Sequence, residues 1–206
     1  MDLVHAAALP LVGLTAWQAI VEKLQVAEGE TVLVIGASGG VGSFAVQLAA
    51  DRGARAIGAA SARSSDFLKE IGAAETVDYR ERDVAEAVRA AHPDGVHAML
   101  DAHPAPDGGS GDETTLQAAG AVRSGGRIAT LTAADETLRI LRERGFEARR
   151  VVVRSNADAL AELSRMVDEG RLSVPVAEVL PLEEAARAHE LSEGGRVRGK
   201  LVLSVA

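Results

Sequence analysis

The sequence predicts an α/β fold with a doubly wound parallel sheet, and three observations predict it. Val32-Leu33-Val34-Ile35 is a short, β-branched apolar run bounded by a glycine, the pattern of a strand buried on both faces. Gly36, Gly39, Gly40 and Gly42 follow at once and lead into Val41, Ala45, Leu48 and Ala49 at helical spacing. Beyond them, short apolar runs keep alternating with helical stretches along the chain.

The glycine cluster carries chemistry as well as shape. Strand, glycine turn and helix bring backbone N–H groups and a helix N-terminus toward a phosphate, and side chains would block that approach. The strict G-x-G-x-x-G spacing is not met, because Ser38 and Val41 stand at two of its glycine positions. A tight strand–helix turn with no ligand is the other reading of the same residues.

Composition narrows the classes. A chain of 206 residues with 47% hydrophobic content has enough for one α/β domain with a real core. A net charge of −8 and 2% aromatic residues argue against a nucleic-acid partner. The absence of cysteine rules out disulfides and thiolate metal sites and suits a cytoplasmic setting. Asp2 stands where a signal peptide would carry positive charge, and no apolar run is long enough to span a bilayer, so neither export nor a membrane is expected.

Taken in order, the elements are these. Leu14, Trp17, Ile20, Val21 and Leu24 share one helical face, with Pro10 just before the helix, Thr15 in its first half, and Glu28-Gly29-Glu30 turning into the first strand. Arg55 to Ala60 is the second strand. It ends at Ser61-Ala62-Arg63-Ser64, with no acid before Asp66. An acid there would serve the ribose hydroxyls of NAD, whereas a hydroxyl and a cation suit the 2′-phosphate of NADP; a solvated arginine is the plainer reading of Arg63. Phe67, Leu68 and Ile71 make a helix stopped by Gly72. Thr76 to Tyr79 is the third strand, and Tyr79, the only tyrosine, would stand near the adenosine end of a dinucleotide. Asp83 caps the next helix, and Val96 to Asp101 is the fourth strand.

His103 to Glu113 is rich in glycine and is either a flap over a cofactor or a surface loop. His103 is weighed as an acid or base and set aside, since a lone histidine in such a loop seldom has a role. Leu116 to Ala121 is a short helix ended by Gly125-Gly126, and Arg127 to Leu131 is the fifth strand. Thr137 to Arg144 is helical, and Ala148 to Val153 is the sixth strand, whose valines would make a long apolar edge suited to a homodimer. Asn156 or Asp158 caps a further helix. Val174 to Val179 is extended, Leu182 to Leu191 is the last helix, and Lys200 to Val205 is the last strand. The whole reads as a Rossmann-type sheet of six strands, helices on both faces, with a short C-terminal helix–strand extension.

Several of these segments together resemble the medium-chain dehydrogenase/reductase superfamily, in its zinc-free quinone oxidoreductase branch. They are Ala6 to Pro10 with Leu14 to Trp17, Gly36 to Gly42 (GASGGVG), Ile71 to Tyr79, Ser124 to Leu131, Glu169 to Glu190 and Gly195 to Leu203. The resemblance implies that Ala37, Ser38, Gly39, Gly40 and Val41 hold the pyrophosphate of NADP(H). It implies that Thr15 and Leu131 lie near the nicotinamide, and that Ser61, Arg63 and Tyr79 surround the 2′-phosphate, joined by Arg196. It assigns no catalytic side chain and no metal. Residues 1–28 would be a linking helix from an N-terminal domain that is missing here, 29–156 the NADPH-binding domain, and 157–206 the helices and strand that complete it. Ala102-His103-Pro104 replaces the glycine pair usual after the fourth strand.

The function implied is the NADPH-binding part of a reductase that passes hydride to a small quinone, enone or carbonyl substrate. A non-catalytic NADPH-binding module, or a subunit whose missing domain arrives in trans, is the alternative.

Overall fold

The computed structural model describes residues 1–103, 111–195 and 197–205. The chain opens with α1 (Leu3–Ala8), capped by the Asp2 side chain accepting from the His5 amide, and α2 (Pro10–Trp17), with Pro10 in its first turn. Pro10 therefore starts a second helix rather than preceding the first. The helical path continues in a π-turn, Gln18–Lys23, where the Leu24 amide reaches back to the Ala19 carbonyl. The Gln18 amide explains the widened turn's anchorage. It donates to the Arg154 carbonyl at 2.7 Å and accepts from the Arg154 amide at 3.1 Å.

β1 (Thr31–Ile35) leads through the glycine loop into α3 (Gly40–Asp51), and then come β2 (Arg55–Ala60), α4 (Ser65–Glu70), β3 (Glu75–Asp78), α5 (Val84–Ala91) and β4 (Val96–Asp101). α6 (Asp112–Ala118), β5 (Val122–Thr130), α7 (Asp135–Glu143) and β6 (Glu147–Arg150) finish the main sheet. Its order is β3-β2-β1-β4-β5-β6, all parallel. That is the doubly wound arrangement, with the chain reversing direction across the sheet between β1 and β4. α8 (Ala157–Asp168), β7 (Val176–Pro181), α9 (Ala185–Glu193) and β8 (Lys200–Ser204) follow, and β7 and β8 pair with each other in a separate two-stranded sheet.

The strands bury both faces because they alternate between two cores. Val32, Val34, Ala98 and Leu100 face a layer with Phe44, Leu48, Ile20 and Leu163; Leu33, Ile35, Met99 and Ile128 face a layer with Val88, Leu138 and Leu141. Each fully buried Phe, Leu or Ile contributes roughly 1.5–3 kcal/mol. Gln47 of α3 binds Ser173 with both ends of its amide, tying the helix after the glycine loop to the approach to β7.

The boundaries of β5 and β6 differ most from the sequence reading. β5 begins at Val122 and runs straight through Gly125 and Gly126, so these glycines lie inside a strand instead of ending a helix. The register shifts between Val96 and Ala98 opposite them, an irregularity in the ladder that glycine accommodates. β6 stops at Arg150, and Val151 to Val153 lie beyond it. It does sit at the sheet's edge, but it is short and carries Glu147, Arg149 and Arg150, so the long apolar edge is not there. Val151 packs into the core and Val152 is 74% exposed. Among the described residues, no helix is long and apolar enough to cross a membrane.

Candidate functional site

The glycine loop forms because β1 must turn into α3 with almost no room. Gly36 has φ +70°, and a Cβ there would stand 3.1 Å from the Ala102 and His103 backbone that leaves the neighbouring strand β4. Gly39 is the extended N-cap of α3, and no side chain caps the helix. The first amides of a helix have no partner within it, so the Gly40, Val41 and Gly42 N–H groups point at whatever occupies the space in front.

That space is a cleft of about 700 Å³ at the carboxyl ends of the strands. Ser38 to Val41, Ser61, Arg63, Tyr79, Leu131 and Thr132 line it from the main sheet. His189, Ser192, Arg198, Gly199 and Lys200 line it from α9 and β8. The C-terminal segment is held against the loop by a main-chain bond, Gly199 N–H to the Ser38 carbonyl at 3.0 Å, and the Lys200 stem lies over Gly40. Among the described lining residues there are cations and no aspartate or glutamate, in a chain whose net charge is −8. An opening lined this way favours an anion.

The turn after β2 is built for display. Both oxygens of Asp78 are occupied, one by the Ala62 amide and one by the Arg80 amide, each at 2.8 Å, which fixes Ser61 and Arg63 beside Tyr79. Ser61 is buried in the wall while Arg63 is exposed at the rim. The Arg80 guanidinium sits 5.9 Å from the Tyr79 ring centroid.

A second hollow, of about 220 Å³, adjoins the cleft and shares Gly36, Tyr79 and His103 with it. His103 thus lines both spaces. Its Nδ1 is buried and has no hydrogen-bond partner among the described residues. Its backbone N–H donates to Asp101 Oδ1 at 3.0 Å. Asp101 is fully buried at the end of β4, and its Oδ2 lies 2.6 Å from Thr115 Oγ1, which is in turn 2.9 Å from the Gly111 carbonyl. Burial pushes the Asp101 carboxyl above the usual carboxylate range, against the lowering pull of these hydrogen bonds.

Most of the residues singled out by sequence converge here. Ser38, Gly39, Gly40, Val41, Ser61, Arg63, Tyr79 and Leu131 all line the cleft. Two do not. Ala37 is fully buried, its amide bonded to the Ala59 carbonyl, and it supports the loop from behind. The Thr15 hydroxyl donates to the Leu11 carbonyl at 2.7 Å, and it is Val12, one turn earlier, that reaches the cleft wall. Arg196 and residues 104–110 of the His103–Glu113 stretch lie outside the described residues. His189, Arg198 and Lys200 do not appear among the site residues read from sequence; their only signal is that His189 stands in the Glu169–Glu190 segment and Arg198 and Lys200 in the Gly195–Leu203 segment. Among the described residues, no group of three or more His, Asp or Glu could hold a metal ion.

Known proteins share this fold. A family model described as zinc-binding dehydrogenase matches residues 71–203. The chain is 29% identical over 215 residues to a probable zinc-binding oxidoreductase, mitochondrial, of Arthroderma benhamiae, covering 98% of this chain and 62% of that protein. The quinone oxidoreductase from Coxiella burnetii superimposes with a TM-score of 0.91 at 32% identity, over 100% of this chain and 62% of that one. The Escherichia coli quinone oxidoreductase complexed with NADPH superimposes with a TM-score of 0.85 at 25% identity, over 100% and 66%. The chain thus spans a little over 60% of the length of these relatives.

Proposed function

The chain belongs to the zinc-binding dehydrogenase family, among its quinone oxidoreductase-like medium-chain members, and from that membership we propose that it is the NADPH-binding part of a reductase for small quinones, enones or carbonyls. One observation supports the nucleotide reading above the others. A cleft whose described lining bears cations and no acid opens at the uncapped N-terminus of α3, where the sheet reverses.

In this reading the α3 amides and the glycine backbone bind the pyrophosphate, and no Cβ stands in the way. Ser61 and Arg63 bind the 2′-phosphate, with Tyr79 beside them. Leu131 and Thr132 at the end of β5 line the nicotinamide end and keep water from it. When bound, the dihydronicotinamide supplies the hydride. The chain's own residues supply position and no dedicated proton donor.

Residues 29–156 form the nucleotide-binding unit in this reading, residues 1–28 lead into it, and 157–206 close its open side through the β8–glycine loop contact. A cytoplasmic location and a homodimer belong to the same proposal. The dimer now rests on the exposed Val152 beside the sheet edge, and light scattering on Val152→Glu checks it, a monomeric wild type ending that part.

Calorimetry with NADPH and NADH tests the main reading. NADPH should bind with a clear preference. Equal affinities would remove the 2′-phosphate assignment, and no binding of either would remove the nucleotide.

A further inference from the structure

We propose that Asp101 works as a neutral acid, donating its proton to Thr115, and is a positioning residue that fixes His103 in the wall of the nucleotide cleft.

Thr115 has one hydroxyl hydrogen for two neighbours. Thr115 Oγ1 is within bonding distance of Asp101 Oδ2, at 2.6 Å, and of the Gly111 carbonyl, at 2.9 Å. A hydroxyl has one hydrogen and cannot donate to both. A proton on Asp101 Oδ2 resolves the conflict. The acid donates to Thr115, Thr115 donates to Gly111, and the other carboxyl oxygen still accepts from the His103 amide. Every group is then used, whereas with Asp101 ionised the Thr115 hydroxyl turns to the carboxylate and the Gly111 carbonyl keeps only the Thr115 amide, at 3.0 Å.

The surroundings favour the same state. Asp101 is fully buried, and no lysine or arginine among the described residues compensates a charge there. β1 meets it with Ile35 and β5 with Thr130, neither of them charged. The charged group that acts on Asp101 is His103, on its own strand's extension, while Asp112 at the start of α6 accepts from the Ala134 amide through its Oδ1. Burial itself raises the Asp101 pKa.

The consequence concerns the cleft. The same carboxyl grips His103 through its amide and Gly111 through Thr115, and His103 lines both the cleft and the adjoining hollow. The protonation state holds whatever the cleft binds; only the step from His103 to nucleotide affinity rests on the function proposed above.

Infrared spectroscopy on the ligand-free protein tests the proton. At neutral pH a carboxylic-acid C=O stretch should be present in the wild type and missing in D101N. Its absence from the wild type overturns the proposal. NADPH affinity tests the positioning. Asparagine can donate to Thr115 and accept from His103 as the neutral acid does, so D101N should bind within about twofold of wild type. Thr115→Val, which breaks the chain, should weaken binding by about tenfold, and Thr115→Ser should restore it. D101N binding as poorly as Thr115→Val would mean that the ionised form is the working one. A wild type that shows the acid band yet binds no NADPH would leave the proton in place and remove the nucleotide function.

Discussion

Gly42 of α3 stands directly against the carbonyl of Gly36 at the end of β1: a Cβ on Gly42 would fall inside that oxygen and 2.7 Å from Ala37 Cα. The loop is closed backbone to backbone, with no flexible side chain to give way. Gly40 is different. A Cβ there would meet the outer part of the Lys200 side chain at 2.8 Å, which can swing away, and the buried Val12 Cγ1 at 3.2 Å, which has to give only slightly. The two glycines should therefore separate fold from binding. Gly42→Ala should destabilise by roughly 1–3 kcal/mol or more, as overpacking against rigid atoms does. Gly40→Val should keep a cooperative melt and lose the nucleotide. Denaturant melts and NADPH titrations on both variants check this, and wild-type NADPH binding by Gly40→Val would reduce the loop to a turn.

Arg63 should decide between the two nicotinamide nucleotides. It is exposed at the rim beside the buried Ser61, and no ion pair holds it among the described residues. A charge-assisted bond at a solvated rim is worth toward the lower end of about 1.5–3 kcal/mol. Arg63→Ala should thus weaken NADPH by about tenfold and leave NADH nearly unchanged. Equal losses for both, measured by titration, would take Arg63 out of the phosphate site.

Asp101 should write its buried proton into the pH dependence of stability. Its folded pKa is raised above the unfolded one, so in between the native state binds the extra proton. The stabilisation is complete below the ordinary carboxylate range and is lost as pH rises through the folded value. Asp101→Asn cannot titrate. The gap between wild-type and D101N melting temperatures should therefore shift against the wild type as pH climbs from mildly acid to alkaline. A constant gap would show that Asp101 titrates normally.

How much of this was legible depends on how local the signal was. Val32 to Ile35 and the glycines behind it are decided by neighbours in sequence, and they fold as read. Asp83 and Asn156 cap their helices for the same reason. Gly125 and Gly126 misled because glycine ordinarily ends elements, and only the β4 ladder beside them makes them strand. Val151 to Val153 have strand propensity, but β5 ends at Thr130 and the described residues offer no further strand for them to pair with. Gln18 and Gln47 look like surface residues and are buried staples, each satisfied by a backbone far along the chain. Lys200 reaches the cleft only because β8 folds back on the glycine loop, a contact between residues 160 positions apart that no local pattern encodes.

The described chain should bind the nucleotide well and turn over poorly by itself. Hydride transfer needs donor and acceptor carbons a few ångströms apart, aligned and kept from water. In the proposed function the α3 amides and Arg63 would seat the donor's phosphates, and Leu131 and Thr132, which line the cleft, its reactive end. The cleft offers the acceptor much less. Val12 reaches the wall, but Leu3 and Leu11 on the helices beside it are 89% and 64% exposed, and no second layer of described residues stands over them. The chain spans 62% of the Coxiella burnetii quinone oxidoreductase, so the relatives carry more chain than these 206 residues match. Well-oriented reactants reach effective molarities of about 10⁵ M or more, and without that orientation the rate should fall by several powers of ten. Calorimetry should thus show clear NADPH binding while quinone reduction by the 206-residue chain stays near background. Adding a relative's N-terminal region, in cis or in trans, should raise turnover. Reduction of a quinone at an ordinary enzyme rate by the chain alone would mean that its own residues, or those of a second copy, already build the acceptor's side of the cleft.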